Sequence, residues 1–177
     1  MRRELFVHLS FWFSFFVFVA LFKHFLNLGS WPFWVGGILG VFLPDIDHLV
    51  YVLFMNPQDL TSQRVNFLYG RREIIRMIQL LYETRSERKG LIFHTIFFQV
   101  IFLILSFWVI TSSMSLFARG LVLSFSLHLF VDQFVDLVEI GNLDNWQGYI
   151  PITLNPSQSR IYITIVLLLV GILGFMM

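Results

Sequence analysis

Apolar residues run in long stretches along this chain, separated by short polar breaks. The stretches cover residues 5–28, 31–55, 91–113, 116–140 and 161–177. The hydrocarbon core of a bilayer takes about 20 helical residues, so the pattern predicts four to five transmembrane helices, the last being the shortest. The second stretch carries Pro44 in its middle, which removes a backbone donor and bends the chain. It is expected as two half-helices, with Asp45 and Asp47 on the turn between them. One substantial polar loop, 56–90, separates the second and third stretches. Within it Ile74, Ile75, Ile78, Leu81 and Tyr82 recur at helical spacing beside Arg71, Arg72 and Arg76. That spacing predicts an amphipathic helix lying at the lipid surface. The expected fold is all-α, a single membrane-embedded bundle over residues 1–177.

Composition strengthens this reading. Charged residues make up 13% of the chain and hydrophobic ones 57%, against roughly 25% charged in a soluble domain. An integral membrane protein is implied, with the lipid bilayer as its first partner and no feature that points to nucleic acid. Cysteine is absent, which rules out disulfides and thiolate ligands and leaves any metal to imidazole and carboxylate. Arg2 and Arg3 precede the first apolar stretch as in a signal peptide. No small-residue cleavage site follows, so a retained helix is expected. The loop 56–90 holds Arg64, Arg71, Arg72, Arg76, Arg85, Arg88 and Lys89 against four carboxylates. By the positive-inside rule it lies in the cytoplasm, together with the N-terminus and residues 141–160.

Ionisable residues inside the apolar stretches carry the candidate chemistry. Leu43-Pro44-Asp45-Ile46-Asp47-His48 packs two carboxylates and an imidazole into four residues, each costing roughly 2.5–3.5 kcal/mol at membrane depth. A divalent cation is the simplest partner for all three. His128 and Asp132 stand four residues apart, on one helical face. The predicted topology puts these groups, with His8 and His94, at one level on the cytoplasmic side. The candidate ligands are therefore His8, Asp45, Asp47, His48, His94, His128 and Asp132. Imidazole with carboxylate suits zinc, with manganese or iron as competitors. Asp136 extends the His128–Asp132 stripe and is expected to orient an imidazole. Taken singly, a histidine near a helix end is more often interfacial than ligating, and a His/Asp pair at this spacing also forms plain buried hydrogen bonds. The Pro-Asp-x-Asp-His block, and the shared level of the set, carry the metal reading.

In these residues the chain resembles the LexA-binding, inner membrane-associated hydrolases, a family of membrane-bound metal-dependent hydrolases. The similar parts are the early His8, the block from Leu43 to His48, the His94-Thr95 pair opening a helix, and His128 with Asp132, in matching order over most of the chain. The family is grouped with zinc-dependent phospholipases C, so the resemblance implies a helical fold, zinc and a phosphoesterase-like reaction. It departs at one point. The family reads His-Arg-Gly-x-Thr-His-Ser before the third helix; this chain reads Arg88-Lys89-Gly90-Leu91-Ile92-Phe93-His94-Thr95 and lacks the first histidine.

The expected activity is hydrolysis of a phosphoester, in a phospholipid headgroup, at an integral site in the inner membrane facing the cytoplasm. Asp45 and Asp47 are the expected catalytic carboxylates, and Arg88 and Lys89 the groups that clamp phosphate. A non-catalytic metal-binding membrane protein, structural or regulatory, is the alternative. An ion pathway would need ionisable groups continuing to the opposite face, which the third and last stretches lack.

Overall fold

The computed structural model describes residues 2–88, 90–148 and 153–177. Among these, helices account for all the regular structure, and four stretches are long and apolar enough to cross a membrane: Leu5–Phe22, Leu28–Met55, Leu116–Glu139 and Pro156–Met176. The protein is thus an all-α membrane-type bundle. In chain order the helices are α1 (Arg2–Phe22), α2 (Trp31–Phe42), α3 (Ile46–Val50), α4 (Leu60–Gly70), α5 (Ile74–Glu83), α6 (Ile96–Ser112), α7 (Leu116–Glu139), α8 (Asp144–Gln147) and α9 (Pro156–Met176).

Local chemistry sets the helix ends. Thr95 and Ser115 accept hydrogen bonds from the backbone N–H groups of Phe98 and Ala118, capping α6 and α7. Asn155 and Gln158 form a reciprocal capping box, and Pro156 suits the first turn of α9 because its missing N–H has no partner there anyway. The last stretch is therefore a 21-residue helix, longer than the apolar run alone suggests. The third is the short one, because residues 91–95 stay outside α6.

The second stretch breaks where proline requires it. After Leu43 N–H reaches the Leu39 carbonyl, the next bonds run from Ile46 to Leu43, Asp47 to Pro44 and His48 to Asp45. These are three-residue steps, tighter than an α-helix. Beyond α3, a π turn at Tyr51–Met55 ends the stretch. Pro44 thus turns Asp47 inward, where it is buried, and leaves Asp45 half-buried beside it.

The core is organised on α7, with α2 lying along it over the longest contact. Glycines make that approach close. A Cβ on Gly36 would stand 2.1 Å from the Phe117 carbonyl oxygen, and one on Gly120 2.3 Å from that of Phe33. Gly36→Val is expected to force the two helices apart and destabilise the bundle by about 1–3 kcal/mol or more. Thermal unfolding in detergent would register this, and an unchanged midpoint would show that the contact is looser than described. A second, smaller core joins Tyr51, Val52, Val65, Met77, Leu81 and Leu91, fixing the α4–α5 hairpin to one end of the bundle.

Candidate metal centre

Asp132 is the centre of the polar cluster. It lies on α7, is 1% exposed, and draws donors from three other parts of the chain. His8, in the second turn of α1, places Nε2 2.8 Å from Asp132 Oδ1. His94, just before α6, places Nε2 3.0 Å from Oδ2. One turn back along α7, His128 Nε2 lies 3.1 Å from Oδ2 and 3.7 Å from Asp45 Oδ1.

His128 is the informative member. It is 3% exposed; Nδ1 has no hydrogen-bond partner, and Nε2 has only its close approaches to Asp132 and Asp45. A buried polar group without a partner costs roughly 1–3 kcal/mol. Ligand atoms of His8, His128 and Asp132 all fall within 4.8 Å of one another, and the His8 and His128 rings are 4.6 Å apart between centroids. A void of about 10 Å³ touches His8, Asp45, His128 and Arg85 but not Asp132. The three side chains could hold a metal ion. Two imidazoles and one carboxylate are also the donor number of a metal site that keeps a position open.

Of the other expected ligands, His94 also contacts Asp132, while Asp45, Asp47 and His48 surround the group. Asp47 accepts backbone N–H bonds from Ile92 (3.1 Å), Phe93 (2.6 Å) and His94 (3.4 Å), and lies 3.2 Å from His94 Nδ1. Its carboxylate builds the segment that presents His94. The His48 ring lies 5.0 Å from that of His94 between centroids, tilted by 33°, and its Nδ1 accepts from Arg88 Nε at 3.0 Å. Asp45 keeps 32% of its side chain exposed.

Two residues that the sequence reading placed differently, or passed over, complete the picture. Asp136 does not orient an imidazole. Its Oδ2 accepts from Trp146 Nε1 at 2.6 Å, while Oδ1 stands 3.8 Å from Arg85 Nη2. Arg85 itself places Nη1 2.7 Å from Asp132 Oδ1. Nothing in the sequence separates Arg85 from the other basic residues of its loop; only the fold brings it to the carboxylate. Arg88 is buried, and its guanidinium donates to His48, to Thr84 Oγ1 at 3.0 Å and to the Leu81 carbonyl. Burial first, and the neighbouring Arg85 second, lower its pKa to about 10. Lys89 lies outside the described residues.

A cavity of about 300 Å³ opens beside the cluster, with Arg85, Arg88, His48 and His94 on its wall and Trp146, Asp136 and Glu139 among the residues that complete it. Arg85 borders both this cavity and the small void at His128. No family model matches the chain, and neither characterised proteins nor solved structures show a significant similarity to it.

Proposed function

We propose that this protein is a membrane-embedded, metal-dependent hydrolase of phosphoesters, with a phospholipid headgroup as substrate at the cytoplasmic face of the inner membrane. The observation that carries the reading is the convergence of His8, His128 and Asp132, with Asp45 3.7 Å from His128, beside a cavity walled by two guanidinium groups. The resemblance to membrane-bound metal-dependent hydrolases adds zinc as the first choice of ion, with manganese next. His8, His128 and Asp132 would hold it, with His94 the nearest further imidazole. When bound, such an ion polarises a phosphoryl oxygen and lowers the pKa of a water.

The chain's own groups supply the rest. Arg85 and Arg88 on the cavity wall offset the charge of a phosphate. Of the two expected catalytic carboxylates, Asp45 is the better general base. It is partly exposed and borders the void, whereas Asp47 is committed to three backbone N–H groups and His94. Asp45→Asn is therefore expected to lower turnover about 100-fold or more while leaving metal content unchanged.

One arrangement favours the alternative, a metal-binding protein without turnover. Arg88 is already bonded to three neutral acceptors, so its guanidinium is occupied as a strut. The missing histidine before His94 points the same way. Metal content of the detergent-purified protein, followed by release of phosphorylated headgroup from phospholipid vesicles, separates the two. Stoichiometric zinc or manganese with metal-dependent release supports the hydrolase. Bound metal without release from any phospholipid or simple phosphodiester supports the alternative. A protein that is metal-free and takes up neither ion sinks both.

A further inference from the structure

The α4–α5 hairpin lies outside the four membrane-length stretches, and its inner face packs on the bundle. Val65, Met77 and Leu81 are buried against Tyr51, Val52 and Leu91. Its outer face is exposed. Leu60, Phe67, Tyr69 and Ile75 are 59–73% exposed, with Ile74 and Ile78 at 43% and 40%. Over Leu60–Glu83 the hairpin carries the exposed Arg64, Arg71, Arg72 and Arg76 against two carboxylates, Glu73 and Glu83. Glu73 pairs with Arg76 at 2.7 Å, on an exposed face where such a pair contributes little. The Arg71 guanidinium sits 4.5 Å above the Phe67 ring. A groove between the two helices is lined by Leu60, Gln63, Arg64, Phe67, Leu68 and Leu80.

We propose that this face seats on an anionic bilayer surface, with its apolar side chains entering the headgroup boundary and its arginines meeting lipid phosphates. Two features select lipid over water or a protein. First, the hairpin is fixed to the π turn that ends the second membrane stretch, and to Leu91 just ahead of α6, so it sits where two apolar segments end. Phe54, 77% exposed in that π turn, continues the apolar surface from the stretch toward the hairpin. Second, exposed aliphatic and aromatic groups interleaved with an excess of arginine are what an interfacial helix needs. Apolar burial supplies depth and the cations supply preference for negative lipid. The proposal concerns a surface apart from the metal centre and stands whether or not the protein hydrolyses anything. It does bear on that centre. Thr61 Oγ1 donates to Glu87 at 2.5 Å, and α5 runs through Thr84 directly into Arg85. A hairpin held by the bilayer therefore holds the segment that carries Arg85 and Arg88.

The chain has no cysteine, so Ile75→Cys gives a single attachment point for an environment-sensitive fluorophore on the full-length protein. It would be reconstituted as one chain per nanodisc, in phosphatidylcholine alone and in phosphatidylcholine mixed with phosphatidylglycerol. The expected result is blue-shifted emission, quenched by lipids with labelled acyl chains, in the mixed discs only. Each of Arg71→Gln, Arg72→Gln and Arg76→Gln should weaken seating roughly 5-fold, with the thermal midpoint in detergent unchanged as the check on folding. Emission typical of water in both lipids would overturn the proposal. So would equal burial in uncharged discs, or burial that appears only when two chains share a disc.

Discussion

Asp132→Ala is expected to abolish metal binding and to be the most damaging single change in the polar cluster. Its carboxylate is the only acid among the three side chains whose donor atoms converge. Loss of a ligand costs more than the roughly 10–100-fold in affinity that follows removal of an outer partner. The change also leaves the Arg85 guanidinium, 17% exposed and 2.7 Å from the missing oxygen, without its nearest carboxylate. Breaking a buried ion pair from one side typically costs about 3–5 kcal/mol. Asp132→Asn separates the two effects, because it keeps the shape and one acceptor oxygen but removes the charge. Metal content by elemental analysis, read beside the unfolding midpoint, should fall to background in both variants, with the larger loss of stability in the alanine. Retention of stoichiometric metal in either variant would move the site away from His8, His128 and Asp132.

The outline of this fold was legible because membrane insertion is read locally. A run of twenty apolar residues predicts a span wherever it packs, and Pro44 breaks the second stretch whatever surrounds it. The grouping of His8, His94, His128 and Asp132 at one end also followed from counting spans, since each crossing fixes the level at which a side chain arrives. What could not be read was which side chains meet. Asp45 and Asp47 are two residues apart and look equivalent in sequence. They diverge because the turn after Pro44 sends Asp47 under the Ile92–His94 backbone, while Asp45 stays near His128. Arg85 was indistinguishable from its neighbours for a related reason. A basic loop residue signals topology through its charge alone, and its particular partner depends on how the hairpin docks. The α4 helix was missed because its sequence lacks the strong apolar periodicity of α5, and it is packing against the π turn that holds it in place.

Arg85→Ala is the second change with a large expected effect, and its sign depends on whether metal is present. In the cluster as described, the charge of Asp132 is offset by Arg85 at 2.7 Å, with His8 and His94 as further donors. A divalent ion on His8, His128 and Asp132 would offset the same charge. Two cations that compensate one carboxylate cannot contribute independently, and groups that share a partner are non-additive by about 0.5–3 kcal/mol. Without metal, Arg85→Ala should therefore lose about 1–3 kcal/mol, because His8 and His94 stay on the carboxylate. With saturating zinc the variant should recover most of that loss, because the ion takes over the role of the guanidinium. The measurement is the zinc-induced rise in unfolding midpoint, which should be larger for Arg85→Ala than for the wild type. Arg85→Lys keeps the charge but not the two-pronged reach toward Asp132 and Asp136, and should fall between them. If zinc stabilises the wild type and Arg85→Ala equally, the ion does not sit on Asp132. If zinc stabilises the variant less, Arg85 supports the metal instead of standing in for it, and the guanidinium belongs among the groups that orient the ligands.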